Sequence, residues 1–346
     1  MPVGTMRCML KKIFVILTIF IVVLSTAGCE KQKTESISGT EIYFDTVVSI
    51  TIYGEKDRSV IDGFFSECSR YEKIFSTTDE ASELCILNSF SHENDEKIDK
   101  YEISEELYEC IEKSLYFSEI TDGEYDITIR PVSKLWDFHS GKNEVPDTSF
   151  LEEGLKLVDH TAVTLCKENG YHYISFVKPG IELELGSSAK GYIGDRLIEY
   201  LRNRGVESAI ISLGGNIQCL GGKMLGPDNT DSFKVAIKDP RNMDGGIFDT
   251  VDVRDKAVVT SGIYERCFEK DGKLFHHILS ARTGMPVDSD LASVTVITTE
   301  GTKADILSTV CFITGYEKSC QILQEDKYVY VKFIYKDGSS KEIGMI

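Results

Sequence analysis

The spacing of apolar and polar residues changes period along the chain, and each period predicts an element. From Ile42 to Tyr53 the run IYFDTVVSITIY is rich in β-branched residues and ends at Gly54, which predicts one strand. Over Ser59–Phe75, Val60, Phe64, Phe65, Cys68, Tyr71 and Phe75 recur at helical spacing. Ser76–Leu84 is dense in helix-capping residue types and leads to Asn88. Ile103–Ile120 puts Leu107, Ile111, Leu115 and Phe117 on one helical side and closes at Thr121-Asp122-Gly123. In the next segment Asp126 and Thr128 fall on one face of a strand by period two, and Pro131 stops that strand or opens a helix. A polar loop over Gly141–Ser149, a helix over Phe150–Val158 and a strand over Tyr171–Val177 follow.

The stretch Glu182–Gly222 organises the rest. Ile181, Leu183 and Leu185 alternate with Glu182 and Glu184, the period of a half-buried strand. Gly186-Ser187-Ser188 bends into a helix whose apolar face is Ala189, Ile193, Leu197 and Leu201, ended by Gly205. Ala209–Leu213 reads as a buried strand bounded by Gly214–Gly215. The whole has the form of a βαβ unit. Free N–H groups at the start of its helix, with Lys190 nearby, suit an anion such as phosphate. Glycines that serve packing alone give the same pattern.

Further on, strands are expected over Phe233–Ile237 and Phe248–Val253, around a turn at Pro240–Gly246. Lys256–Glu269, the turn Asp271-Gly272 and Leu274–Leu279 read as a hairpin. It would bring Thr260-Ser261-Gly262 near His276, His277 and the loop Arg282-Thr283-Gly284. A strand over Leu291–Thr298, a helix over Lys303–Thr314 ended by Gly315, and a pair Lys327–Tyr335 and Lys341–Met345 complete the chain. With no repeat and no second low-complexity linker, the fold class is α+β (mixed α/β), a single compact body of interleaved sheets flanked by helices.

Composition narrows the function. The chain has 346 residues and a net charge of −18, with 42% hydrophobic and 27% charged residues, as in ordinary globular proteins. Residues 1–28 hold Arg7, Lys11 and Lys12 and no acid, so their removal leaves 35 basic against 56 acidic residues, a net of −21. A body this acidic repels nucleic acid, which is not an expected partner.

The same residues 1–28 read as an export signal. The apolar run Ile13–Leu24 is short for a membrane span, and Ser25-Thr26-Ala27-Gly28 precede Cys29. Small residues before a cysteine resemble the bacterial lipobox, with Thr26 where leucine is commoner. That resemblance implies lipidation at Cys29, a polar tether over residues 29–40, a folded domain over 41–346, and anchoring to the outer face of the cytoplasmic membrane. Of ten cysteines, the eight in the body show no C-x-x-C pair, so free thiols are expected and structural zinc is not.

Several residues carry candidate chemistry. Asp305 and Thr309 stand at i and i+4, so a carboxylate and a hydroxyl face the same way, an oxygen pair suited to Mg²⁺. A solvated or capping aspartate has the same spacing. His276 and His277 are adjacent and point to opposite faces of a strand, so at most one serves a site, as proton acceptor or as a structural residue. Glu184 and Lys190 flank the small turn, as ligand contacts or as an ion pair. No G-x-S-x-G, G-x-x-x-x-G-K-[ST] or G-x-G-x-x-G occurs, which disfavours a serine hydrolase, a P-loop enzyme or a Rossmann oxidoreductase.

Together these segments resemble the ApbE family of FAD:protein FMN transferases. Tyr125-Asp126-Ile127-Thr128-x-x-Pro131 with Leu135-Trp136 is similar to the family's F-D-[IV]-T-x-x-P-L-x-x-x-W. Leu185-Gly186-Ser187-Ser188-Ala189-Lys190-Gly191-Tyr192 with Asp195 resembles L-G-[GS]-[IS]-A-K-G-Y-x-x-D, and Gly214-Gly215-Asn216-Ile217 resembles G-G-[DN]-I. Thr260-Ser261-Gly262-x-Tyr264-Glu265-Arg266, His277-Ile278-Leu279 with Arg282-Thr283-Gly284-x-Pro286, and Lys303-Ala304-Asp305-x-x-Ser308-Thr309 match the remaining blocks. Six blocks in order are more specific than any one of them.

The resemblance implies an enzyme that binds FAD with Mg²⁺ and transfers its FMN half to a threonine or serine hydroxyl of an acceptor protein, releasing AMP. It implies that Asp305, Thr309 and the Ser187 region hold the metal. Phe44, Tyr125, Asp126, Ile127, Thr128, Glu184, Lys190 and Ile278 then line the FAD site, with His277 as base and Asp305 also counted as catalytic. Implied acceptors are flavin-carrying subunits of membrane redox complexes (Rnf or Na⁺-pumping NADH:quinone oxidoreductase types) or exported flavoproteins. The chain departs from the pattern at Phe44-Asp45-Thr46 for M-G-T, Ser280-Ala281 for Asp-Pro, and Ser212-Leu213 for Asn-Ala. Mg²⁺-dependent hydrolysis of FAD to FMN and AMP, and a non-enzymatic FAD-binding lipoprotein, share the same motifs.

Overall fold

The computed structural model describes residues 35–55, 57–93, 98–138, 141–223, 231–242 and 246–346. The expected export signal and Cys29 lie outside these residues. In chain order the strands are β1 Ser36–Tyr43, β2 Thr46–Tyr53, β3 Ile98–Ile103, β4 Val163–Glu168, β5 Tyr171–Phe176, β6 Ala209–Leu213, β7 Asn216–Leu220 and β8 Phe233–Lys238. They continue with β9 Ile247–Val253, β10 Ala257–Gly262, β11 Cys267–Lys270, β12 Lys273–His276, β13 Leu291–Thr298, β14 Tyr330–Tyr335 and β15 Ser340–Ile343. The helices are α1 Ser59–Phe75, α2 Glu83–Glu93, α3 Glu105–Ile120, α4 Arg130–Trp136, α5 Thr148–Leu155, α6 Ala189–Asn203 and α7 Gly301–Ile322, the last broken at Gly315 (φ 73°, ψ 177°). The mixed α/β class holds.

An eight-stranded sheet in the order β1-β2-β6-β7-β10-β13-β14-β15 carries the fold. Every pairing in it is antiparallel. One face packs under α1, α3, α6 and α7 around Ile50, Phe64, Leu197, Leu213, Val294 and Leu307. The other face is covered in part by the β8–β9 ribbon, whose Phe233, Val235 and Val251 meet Val258, Ile297 and Ile334. All eight residues of β13 are buried, as a central strand covered on both faces requires. A third cluster joins Trp136 and Val132 of α4 to Leu151, Phe268, Phe275 and Leu279. It ties the β11–β12 hairpin to the body.

The structure corrects several readings. The Ile42–Tyr53 strand is the β1–β2 hairpin, turned at Phe44 and Asp45, both at positive φ (56° and 54°). Two non-glycine residues in that conformation give no sequence signal for a turn. Its first strand starts at Ser36, inside the stretch expected to be tether. No βαβ unit forms, because β6 runs antiparallel to both neighbours.

Ile181–Leu185 is buried and unladdered except for one parallel bridge between Ile129 and Glu182. Its hydrogen bonds come from a side chain and from one backbone contact, Glu184 N to the Ile127 carbonyl (2.7 Å). Asn88 Nδ2 donates to the Leu183 carbonyl (3.0 Å), and Leu183 N donates to Asn88 Oδ1 (2.7 Å). An amide presents a donor and an acceptor side by side, so it stands in for a strand. Residues 125–129 form a turn rather than a strand, since Asp126 Oδ1 accepts from Thr128 N (2.8 Å) and Thr128 Oγ1 (2.6 Å). Strands β3, β4 and β7 and helix α2 add to the elements predicted above. All eight body cysteines are free.

Candidate active site

The site is built where α6 and α7 cross. Gly191 and Gly301 let the two backbones touch, since a Cβ on Gly191 would lie 2.2 Å from the Gly301 carbonyl oxygen and 2.7 Å from Asp305 Cβ. At this distance Gly191 N, an orphan donor of the first turn of α6, donates to Asp305 Oδ2 (2.9 Å). Asp195 on the next turn caps α7. Its oxygens accept from Gly301 N (2.6 Å), Thr302 N (2.8 Å) and Thr302 Oγ1 (2.6 Å). Burial raises the Asp195 pKa, and the same three bonds oppose that rise. From the sheet below, Gln218 Nε2 donates to the Gly191 carbonyl (3.1 Å). Asp305 is thus held by Gly191 N, on a helix whose start Asp195 caps.

Thr309 lies one turn beyond Asp305, with its Oγ1 3.1 Å from Ser261 Oγ, which is 2.7 Å from Ser308 Oγ. The Gly186–Ser188 turn faces this pair. Tyr125 OH lies 2.9 Å from Ser187 Oγ, and Cys110 Sγ donates to Ser188 Oγ (3.5 Å). Lys190 Nζ donates to the Gly186 carbonyl (2.7 Å). The Asp305 charge helps to raise the buried Cys110 thiol and Tyr125 phenol, so turn and carboxylate share one electrostatic neighbourhood.

β12 ends at His276, so the strand alternation expected for the pair does not extend to His277. His276 packs edge-on against Phe312 of α7, and burial lowers its pKa to about 4. His277 is anchored by its N–H to the Arg266 carbonyl (3.0 Å). Burial, then the Arg266 charge, then His276 and Lys190, lower its pKa to about 3, so it is a neutral imidazole at neutral pH. Glu265 keeps solvent access but is walled in by protein. Burial, with Asp305 nearby, moves its carboxyl up to about 7 against the pull of Lys190 and Arg266. Sequence reasoning had Glu265, Asp195 and Asn216 only as motif letters.

The other wall starts at the Phe44–Asp45 turn, where Phe44 N donates to Glu72 (2.8 Å) and Asp45 accepts from Thr78 Oγ1 (3.2 Å). Thr46 packs on Gly214 (φ 60°), where a Cβ would come within 2.4 Å of its Oγ1. Arg130 bonds the Thr77 carbonyl (3.2 Å) and Glu184 Oε2 (3.0 Å), which also accepts from Ser133 Oγ (3.0 Å). Contacts link Glu184 to the Gly186 turn and Lys190. Electrostatic coupling links Lys190 to Asp305 through Glu265 and to His277, and the Phe44 turn joins this set through Thr78, Thr77 and Arg130. Tyr125, Ile127 and Ile278 are buried beneath that surface. Asp126 and Thr128 are bonded inward, to His160 Nδ1 (3.0 Å) and to Asp159 N (2.7 Å). What these five give a ligand they give through the backbone and by support.

No group of three or more His, Cys, Asp or Glu among the described residues is arranged to hold a metal ion. The oxygen set of Asp305 and Thr309, beside the Ser187 turn, fits only a hard cation that takes most of its shell from water or a bound phosphate. Two buried side-chain nitrogens are open to a polar ligand, the amide as a donor and the imidazole as donor or acceptor by its tautomer. His277 Nδ1 and Asn216 Nδ2 have no hydrogen-bond partner among the described residues.

Comparison with known proteins gives one answer. The ApbE family model matches residues 44–333. An FAD:protein FMN transferase of Treponema pallidum is 31% identical over 341 residues, 95% of this chain and 92% of that protein. One from Klebsiella pneumoniae is 32% identical over 281 residues, 81% and 84% of the two chains. The crystal structure of an ApbE protein from Thermotoga maritima superimposes with a TM-score of 0.77 at 28% identity, covering 89% of this chain and 96% of the other. A flavin transferase ApbE from Vibrio cholerae shares the fold with a TM-score of 0.75 at 22% identity, over 90% and 97%.

Proposed function

The chain belongs to the ApbE family, and we propose that it transfers the FMN half of FAD, with Mg²⁺, to a threonine or serine hydroxyl of an acceptor protein and releases AMP. The observation that carries this reading is the seating of Asp305 on Gly191 N, with Thr309 one turn on and His277 Nδ1 unpartnered nearby. Asp305, Thr309 and the Ser187 turn would hold the cation. When bound, it supplies charge that offsets the oxygens of the pyrophosphate.

The residues of the chain do the rest. Lys190, kept at the turn by its bond to Gly186, adds a positive charge beside the phosphates. The half-buried Phe44 and the Arg130–Glu184 pair offer a surface for the flavin end. The acceptor oxygen bonds to phosphorus of the FMN half, and the pyrophosphate P–O bond breaks with its electrons leaving on AMP. The hydroxyl proton passes to His277. A neutral imidazole is ready to take it, and the negative charge of bound FAD raises its basicity above that in the free protein.

Purified protein incubated with FAD, Mg²⁺ and an acceptor domain tests this reading. Flavin fluorescence on the denatured acceptor together with AMP supports transfer. AMP without labelled acceptor supports FAD hydrolysis instead, and FAD retained without either product supports a binding protein. The lipid anchor at Cys29 and an outward-facing site on the cytoplasmic membrane belong to the same proposal. A Cys29→Ala chain that still sediments with membranes would sink them.

A further inference from the structure

Asn216 is a buried side chain in search of a partner. It opens β7 just after the Gly214–Gly215 turn, it is 4% exposed, and its Nδ2 has no hydrogen-bond partner among the described residues. Burying an amide without a partner costs a few kcal/mol, a cost that a bond to a ligand beside this turn would offset. Asn216 and Gln218 lie on the same face of β7 by period two, and Gln218 touches Gly191 in the first turn of α6. Because β6 returns antiparallel from the end of α6, and β7 runs antiparallel to β6, β7 is parallel to α6. One step back from Gln218 therefore leads toward the Gly186–Ser188 turn. On the neighbouring strand, Ile217 pairs with Val258, and three residues further in β10 Ser261 contacts Thr309. On the other side, Gly214 carries Thr46 and the Phe44 turn. Asn216 thus sits between the residues that would hold the cation and those that would meet the flavin.

We propose that the Asn216 amide is a direct contact to bound FAD, donating to an oxygen of its ribityl phosphate half. The inference rests on the FMN-transfer reading above and adds to it the group that recognises this half of the substrate. It has a signature that a structural asparagine lacks. Removing a donor that is unpaired in the free protein does not lower the stability of the free protein, yet it weakens the complex.

The experiment measures affinity for FAD, FMN and AMP by calorimetry without acceptor, and the melting temperature without ligand, for the wild type, Asn216→Leu and Asn216→Ala. Leucine keeps the volume and alanine guards against a packing artefact. The expected result is a loss of about tenfold in FAD and FMN affinity, with AMP affinity and the ligand-free melting temperature of Asn216→Leu unchanged or higher. Unchanged FAD affinity in both variants overturns the contact, and so does a melting temperature that falls in both along with affinity. Loss of AMP affinity alone overturns the assignment to the flavin half. A wild-type chain that binds no FAD removes the transfer reading itself, a result distinct from binding that the variants leave intact.

Discussion

Two regions a few residues apart treat buried polar groups in opposite ways. At the crossing of α6 and α7, Asp195 accepts three hydrogen bonds, Asp305 accepts one from Gly191, and Gln218 donates to the Gly191 carbonyl. Beside it, on the same face of β7 as Gln218, Asn216 Nδ2 has no partner among the described residues, and neither has His277 Nδ1. The first region is complete without a ligand and holds its geometry in advance. The second is complete only when something polar arrives. A preorganised wall beside unpaired polar atoms is what a site for transfer between bound groups requires, because reorganisation then falls on the ligand side.

Breaking the complete region at its centre gives the largest effect. Asp305→Ala removes the only carboxylate of the proposed cation site and should lower Mg²⁺-dependent turnover about a thousandfold or more. Steady-state AMP release over a Mg²⁺ titration checks this, and a variant with full activity ends the metal assignment. His277→Ala attacks the incomplete region. It should slow transfer by about a hundredfold while FAD affinity changes little. Loss of affinity with an unchanged rate would make His277 a binding contact rather than a base.

Asp195→Asn sharpens the comparison with a smaller effect. The amide can still accept one or two bonds at the start of α7 but loses the charge-assisted set, which weakens the cap by about 1 kcal/mol. Because α7 carries Asp305 and Thr309, the Mg²⁺ concentration for half-maximal rate should rise several-fold while the KM for FAD holds. Equal changes in both would show general loosening instead.

The sequence made the helices and the motif residues legible, and it did so unevenly for physical reasons. The α1 and α6 periods were clear because each helix buries one face against one sheet. The Asp305–Thr309 pair was visible because it is local, at i and i+4. Asp195 and Gln218 were not visible in their roles, since their partners lie 107 and 27 residues away. The turn at Phe44–Asp45 was hidden for another reason. Side chains there adopt a backbone that glycine usually marks, and the hydrogen bonds from Phe44 N to Glu72 and from Thr78 to Asp45 hold it. The false strand at Ile181–Leu185 had the right alternation and a side-chain partner, which no period can distinguish from a ladder.

The smallest predicted effect concerns stability against pH, and it again separates the two sides. His276 and His277 have pKa values near 4 and 3 in the fold, below the ordinary value of 6.5. The unfolded chain therefore takes up protons first as pH falls. Their contribution to stability is full above pH 6.5 and is lost as pH falls toward the folded values, by about 1–2 kcal/mol each at pH 5. Glu265 has the opposite sign. Its pKa rises from 4.5 to about 7, so its contribution is full below pH 4.5 and is lost as pH rises through 7. His276 makes the cleaner test, since it packs on Phe312 rather than on the cleft. Melting temperatures at pH 7.5 and 5 should differ less in His276→Leu than in the wild type, and Glu265→Gln, by removing the opposing limb, should widen that difference. A His276→Leu chain with an unchanged acid limb would mean that the imidazole is already charged in the fold, and burial against Phe312 would no longer account for its neutrality.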